Sequence, residues 1–378
     1  KGENEEEYEP KFSYHGFRYV EITGYPGVPK LDSIRGRVVH SDVQPTGGFA
    51  SSNQMLNDLQ RAIVWGLKTN LHSIPTDCPQ RDERFGWMGD VHWAAEAIIS
   101  NFDMAAFYTN FLRSIHDEQG TDGSVPATVP VARPDYRDND PGYGAGYPAF
   151  VWYLYQHYGD RRILEQHYEG ITAWVNYLSS RAKDGIVEDT KWGDWIAPMR
   201  THGAAGAVWN GENNIDLTPG NLVSTSYYSY SVGVAERAAR ILGETGDAEK
   251  FHALDIQIRD AFNRKFYNVE RKTYAAGSQA SQALALYLGF PPPEQRRDVL
   301  RLLIDDIVYA KDTHLSTGIA GTKYVMPVLT RFGQSDVAYD LVTQTTFPSW
   351  GYMLKNGATT IWELWSNKVG MGMNSHNH

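Results

Sequence analysis

"AERAARILGETGDAEKFHALDIQIRDAFNRKF", residues 235–266, carries two apolar stripes with a break between them. Ala235, Ala238, Ala239 and Leu242 share one face before the break. Phe251, Leu254, Ile258, Phe262 and Phe266 recur every three or four residues after it. Each stripe is the buried side of a helix. Gly243 can end the first helix in a left-handed conformation, and Asp247 can begin the second. The stretch therefore predicts an αα-hairpin. The same punctuation recurs at "YGDRR" (158–162), "LGFPPPEQ" (288–295) and "FGQSD" (332–336), each a glycine stop followed by a polar or proline start. Hairpins repeated from about residue 52 onward, with no sequence signature at a fixed period, predict a closed helical toroid over an open repeat array.

The first fifty residues have another texture. "KGENEEEYEPK" (1–11) holds five glutamates and reads as a solvated, mobile arm. "FSYHGFRYVEITGYPG" (12–27) and "DSIRGRVVHSDV" (32–43) are rich in aromatic and β-branched residues between Gly and Pro, which predicts strands. The expected division is an arm with β-strands over 1–50, as a partial β-sandwich or linker, and a helical barrel over 51–378.

Composition excludes several functions. The 378 residues suffice for one large domain with a substantial core. Forty-five acids against 35 bases give a net charge of −10 without a basic stripe, which argues against a nucleic-acid partner. No apolar run is long enough for a membrane span. A single cysteine, Cys78, excludes an internal disulfide framework. P-loop, dinucleotide and Gly-x-Ser-x-Gly signatures are absent. Eleven Trp and 23 Tyr are many, and flat apolar rings suit both a large core and a sugar site.

Three long glycine- and aromatic-rich stretches, 118–149, 184–220 and 345–378, interrupt the helices and are expected to gather at one end of the toroid. A fourth segment, "TDCPQRDERFGWMGD" (76–90), sets Asp77, Asp82, Glu83 and Asp90 beside Arg81 and Arg84. Pro79, Gly86 and Gly89 predict a shaped loop entering a helix near Val91. Crowded carboxylates cannot all ionise cheaply, and such a division into acid and base is what cleavage of a glycosidic bond requires. A solvated charge cluster would have the same composition, but Cys78, Phe85, Trp87 and Met88 among the charges point to burial. Further candidates are Glu363 between Trp362 and Trp365 in "NGATTIWELWSNK" (356–368), Asp194 between Trp192 and Trp195 in "WGDWIAP" (192–198), and the polar "NSHNH" (374–378). The last has no third ligand at zinc-like spacing, so no metal is assigned. His72, His92, His116, His157 and His202 are scattered, without partner spacing, and read as surface or core residues.

"DCPQRDERFGWMGD" resembles the signature of glycoside hydrolase family 78, the inverting α-L-rhamnosidases. The likeness extends over nearly the whole chain, through "FSYHGFRYVEITGYPG", "IRGRVVHSD", "TPGNLVSTSYY" (218–228), "SQALALYLG" (281–289), "HLSTGIAGTKY" (314–324) and "TTFPSWGYMLKNGATTIWELW" (345–365). It implies a mainly α fold, an (α/α)6 barrel preceded by a short β segment from a β-sandwich. It implies a hydrolase releasing terminal α-L-rhamnose from a small-molecule or oligosaccharide rhamnoside without a cofactor. By position, Glu83 would be the general acid and Glu363 the general base. Asp77, Arg81 and Asp90 would bind rhamnose hydroxyls, Trp87 and Trp195 would be walls, and His378 a further sugar-binding residue. Inversion would place the two catalytic carboxyl groups roughly 6.5–9.5 Å apart. Bottom-up reading alone does not choose Glu83 over Asp82. Two departures from the family pattern stand out. "DPGYGAGYPAF" (140–150) lacks a Trp-Gly-Asp-like stretch, so Tyr143 or Tyr147 would replace a subsite tryptophan. The barrel also reads as C-terminally truncated at His378. Competing expectations are another (α/α)6 enzyme, such as a different exo-glycosidase or a polysaccharide lyase, and a truncated rhamnose-binding fragment without turnover. Homo-oligomerisation and a cytoplasmic or secreted location are left open.

Overall fold

The computed structural model describes residues 6–134, 137–198, 218–367 and 374–378. The first five residues of the acidic arm and residues 199–217 of the 184–220 stretch lie outside them.

Thirteen helices are found among the described residues: α1 (Gln54–Thr69), α2 (Met88–Asn101), α3 (Ala105–Glu118), α4 (Pro141–Gly144), α5 (Gly146–Tyr158), α6 (Arg161–Arg181), α7 (Gly220–Leu242), α8 (Thr245–Phe266), α9 (Gln279–Leu288), α10 (Pro293–Asp305), α11 (Ile319–Arg331), α12 (Ser335–Val342) and α13 (Trp350–Lys355). Helices α2, α5, α7, α9 and α11 pack as successive neighbours, and α11 returns against α2, so the ring closes. Helices α6, α8, α10 and α12 lie outside it, α3 packs on α5 and α6, and α1 packs on the short α13. The inner helices are buried on nearly every face, as α7 illustrates with buried residues from Leu222 to Ala239, serines and a threonine among them. The outer ones bury a single stripe. This is the mainly α closed toroid of helix pairs expected from the hairpin at 235–266.

The predicted stops are present. Gly159, Gly243 and Gly289 end α5, α7 and α9 with φ of 68°, 90° and 74°, where a side chain would strain the backbone. Phe251, Ile258, Phe262 and Phe266 are buried as the stripe required. Asp160 caps α6 by accepting from the Arg162 N–H. Asp247 does not start α8. That helix begins two residues earlier, because Gly243 N and Glu244 N both donate to Ala239 O and turn the chain at once.

The expected strands over 12–27 and 32–43 do not form. Most of the described residues there are exposed, with Phe12, Tyr19, Val38 and Val39 facing outward and Val43 buried, and their regular structure is a 3-10 turn, Leu31–Ser33. Alternation of side chains prepares a strand, but a ladder also needs a neighbour to pair with, and the described residues supply none. Among the described residues the strands are limited to hairpins of two-residue strands at the ends of α1, α6 and α8.

Candidate active site

The site is assembled on the segments that lead into the inner helices: 76–87 before α2, 138–145 before α5, 191–196, and 314–318 before α11. Segment 360–367 and the terminal 374–378 close it. Helix α2 begins at Met88, earlier than the expected Val91, with Gly89 already helical. A Cβ there would press into the Tyr143 ring, so glycine is needed for packing rather than to break the helix. Cys78 (φ 50°) and Arg84 (φ 64°) are non-glycine residues in the left-handed region. Strain of this kind is retained where the surroundings enforce a loop shape. Arg84 is held from outside by the arm: its Nη2 donates to Tyr14 O at 3.1 Å and its guanidinium lies over the Tyr14 ring.

This loop separates the two candidate acids. Asp82 is exposed, whereas Glu83 turns inward. Glu83 Oε2 accepts from Arg81 Nε at 2.8 Å and pairs with Arg81 Nη2 at 2.7 Å, while Oε1 accepts from the Trp87 indole N–H at 2.8 Å. The same Arg81 Nη2 lies 3.7 Å from Glu363 Oε2. Those two oxygens can therefore be no farther apart than the sum of the two contacts, just below the lower edge of the roughly 6.5–9.5 Å inverting window. The limit covers one oxygen of each group and does not separate that window from the retaining spacing of about 5–5.5 Å. Glu363 is fixed from behind. Its N–H donates to Ser375 O, and the Ser375 N–H donates to Glu363 Oε2, both at 2.8 Å. Burial raises the Glu363 carboxyl above its ordinary range, opposed by the His378 charge and the Ser375 N–H.

The second cluster is Asp77, Asp90 and His378. His378 Nδ1 lies 2.8 Å from Asp77 Oδ1, and Nε2 lies 3.1 Å from Asp90 Oδ1. With both ring nitrogens facing carboxylates, the ring is an imidazolium. Burial alone would lower its pKa, but Asp77 and Asp90 outweigh this and hold it well above the ordinary value. Burial pushes Asp77 up, yet the His378 charge brings it down overall; Asp90 stays raised by burial, with the Asp77 charge adding to it. Two carboxylates and one imidazolium leave this corner of the site net negative. Cys78 is fully buried and its thiol donates to Asp77 Oδ2 at 3.2 Å. Asp77, Cys78 and His378 offer one donor atom each within 4.8 Å of one another. Burial and the Asp77 charge push the thiol up, so it faces Asp77 as a hydrogen-bond donor.

The remaining candidates divide. Trp87 and Trp192 meet edge to face at 5.3 Å, Trp192 and Trp195 at 4.9 Å, and Tyr143 joins the group 5.9 Å from Trp87. Tyr143 is buried against these indoles, whereas Tyr147 is buried apart from them, its hydroxyl paired with His167. Trp362 and Trp365 pack into the core beside Glu363. Asp194 does not face the site. Its Oδ2 accepts from Gly318 N at 2.9 Å and its Oδ1 from Gly321 N at 2.8 Å, at the start of α11. Burial pushes it up to about 6 against those two donors. Within 374–378, Ser375 receives Gln80, and Asn377 receives Asn70, leaving His378 directed at the carboxylates. Sequence reading missed Asp140 and Asp138. Asp140 Oδ1 accepts from Gly142 N, its Oδ2 from Lys191 N, and Asp138 accepts from Lys191 Nζ and the Trp192 indole. "RDND" before Pro141 carried a helix-cap signal, but nothing local pointed to residue 191.

Residues 44–378 match the sequence model of the bacterial alpha-L-rhamnosidase 6 hairpin glycosidase domain, and residues 1–40 that of the bacterial alpha-L-rhamnosidase concanavalin-like domain. An alpha-L-rhamnosidase of Streptomyces avermitilis is 38% identical, over 100% of this chain and 35% of its own length. The structure of alpha-L-rhamnosidase from Dictyoglumus thermophilum is 46% identical with a TM-score of 0.91, over 98% of this chain and 40% of that one. The Streptomyces avermitilis structure complexed with L-rhamnose is 37% identical with a TM-score of 0.89, over 98% and 35%. The chain thus spans well under half the length of these relatives. No described helix is long and apolar enough to cross a membrane.

Proposed function

Because the chain belongs to the bacterial α-L-rhamnosidase six-hairpin glycosidase family, we propose that its toroid hydrolyses terminal α-L-rhamnosides with inversion. The observation that carries this reading is the convergence of Glu83 and Glu363 on one guanidinium, Arg81, beside the negative Asp77–His378–Asp90 corner. Glu83 delivers a proton to the departing glycosidic oxygen while Glu363 takes one from the attacking water on the opposite face. Asp77, Arg81, Asp90 and His378 bind the rhamnose hydroxyls, and Trp87 and Trp195 form apolar walls. As the bond breaks, positive charge grows on the sugar ring and is favoured by the net negative corner. The Glu363 carboxyl, raised by burial and oriented by Ser375, is a stronger base than an exposed one. These steps use only side chains and water. Residues 1–50, whose described part forms no strand of its own, are read as the linker or partial β-sandwich segment ahead of a barrel of residues 51–378.

A second reading exchanges the two roles. It is favoured by the three donors on Glu83, including the Arg81 pair, which must give way before Glu83 can deliver a proton, and by the raised Glu363. Inversion holds in either case.

The proposal is tested by incubating the chain with aryl α-L-rhamnoside, α-L-fucoside and β-D-glucoside at equal concentration. Release of the phenol from the rhamnoside alone is expected. Equal release from all three, or from the glucoside alone, contradicts the substrate assignment.

A further inference from the structure

Asp194 sits between two tryptophans yet turns its carboxylate to the start of α11, and its position explains how the aromatic segment is held. Both carboxylate oxygens are occupied by N–H groups at the start of α11, Gly318 N at 2.9 Å and Gly321 N at 2.8 Å. One residue later the backbone is tied to the same place, since Ile319 N donates to Trp195 O at 2.9 Å. The fit leaves no slack: a Cβ on Gly318 would overlap the carbonyl oxygens of both Asp194 and Trp195. The other end of the segment is tied to Asp140, whose Oδ2 accepts from Lys191 N at 2.7 Å and Trp192 N at 3.3 Å. The indoles between these anchors contact each other and then Trp87, whose N–H bonds Glu83.

We propose that Asp194 is a positioning residue: by clamping the Trp195 backbone to the N-terminal end of α11 it sets the aromatic wall against which the sugar and Glu83 are aligned. This rests on the rhamnosidase reading of the site. The clamp has a sound physical basis, since a carboxylate accepting two N–H groups at a helix start is favoured by hydrogen bonding and by the helix dipole together. Asparagine has the same shape but turns an NH2 toward one of the two donors, so the clamp is half lost without leaving a void.

The test is a double-mutant cycle with Asp194→Asn and Trp195→Ala on an aryl α-L-rhamnoside. Asp194→Asn is expected to lower kcat/KM about tenfold or more in the native background and by less than twofold in the Trp195→Ala background, because it acts through that ring. Gly318→Ala, which keeps the carboxylate and wedges the clamp open, is expected to give the same pattern and serves if Asp194→Asn fails to fold. Equal losses in both backgrounds, or no loss in either, overturn the proposal. The near-ultraviolet circular dichroism of the Trp192–Trp195 pair reads the clamp without any substrate. Asp194→Asn should change that signal in the folded protein, and an unchanged signal overturns the clamp. If the native chain hydrolyses no rhamnoside, the functional reading falls, and the dichroism still decides the clamp.

Discussion

Glu83→Gln is expected to lower kcat about 10²–10⁴-fold on a rhamnoside whose leaving group is a poor one, such as an alcohol. The loss should shrink to a small factor on a nitrophenyl rhamnoside, because nitrophenolate departs without being protonated. Glutamine keeps the volume of Glu83 and an oxygen for the Trp87 indole N–H but turns an NH2 toward Arg81 and gives up that ion pair, so the comparison of the two leaving groups is what isolates the lost proton. Glu363→Gln should lose a comparable factor on both substrates, since attack by water needs the base whatever departs. The comparison separates the two role assignments. If instead Glu363→Gln spares the nitrophenyl substrate and Glu83→Gln does not, Glu363 is the acid. Similar activity of both variants and the native chain would remove both residues from the mechanism.

His378→Ala should cost about 3–5 kcal/mol of stability near neutral pH, because it strips the counter-charge from two buried carboxylates. The pH dependence carries the sign. The folded pKa of His378 is raised, so its contribution is fully present below its unfolded value of about 6.5 and is lost progressively as pH rises from there through the folded value. Asp77 is depressed, so its contribution is present above its unfolded value of about 3.9 and is lost as pH falls through the folded one. Without the imidazolium, burial and mutual repulsion raise both Asp77 and Asp90, and the folded state must bind protons to persist. Below about pH 6.5, where the His378 contribution is constant, the deficit should therefore be larger at about pH 6 than at about pH 4.5 when urea midpoints of the variant and native chain are compared. An equal deficit at both values would mean that His378 acts through packing and not through charge.

The toroid was legible because its determinants are local. Each apolar stripe and each glycine stop is readable within about twenty residues, and Gly159, Gly243 and Gly289 adopt the conformation the reading required. Strand-like composition at 12–43 misled for the complementary reason, since pairing depends on a partner that composition does not reveal. The 76–90 loop was legible as a site but not in its choice of acid. Neighbouring residues Asp82 and Glu83 point apart because Cys78 and Arg84 bend the backbone, and no spacing rule reports that. Asp194 was noticed for its flanking indoles, yet its partners are more than 120 positions away at Gly318 and Gly321. The ties from Asp138 and Asp140 to residues 191 and 192 were missed on the same ground.

In the proposed mechanism water attacks in a single step from the face opposite the leaving group, with Glu83 and Glu363 on either side. Proton NMR of an aryl α-L-rhamnoside during the first minutes of hydrolysis tests it most directly, because the anomeric signals are resolved before mutarotation mixes them. β-L-Rhamnose appearing first is the predicted result. α-L-Rhamnose appearing first would contradict it, and would make one of the two carboxylates a nucleophile.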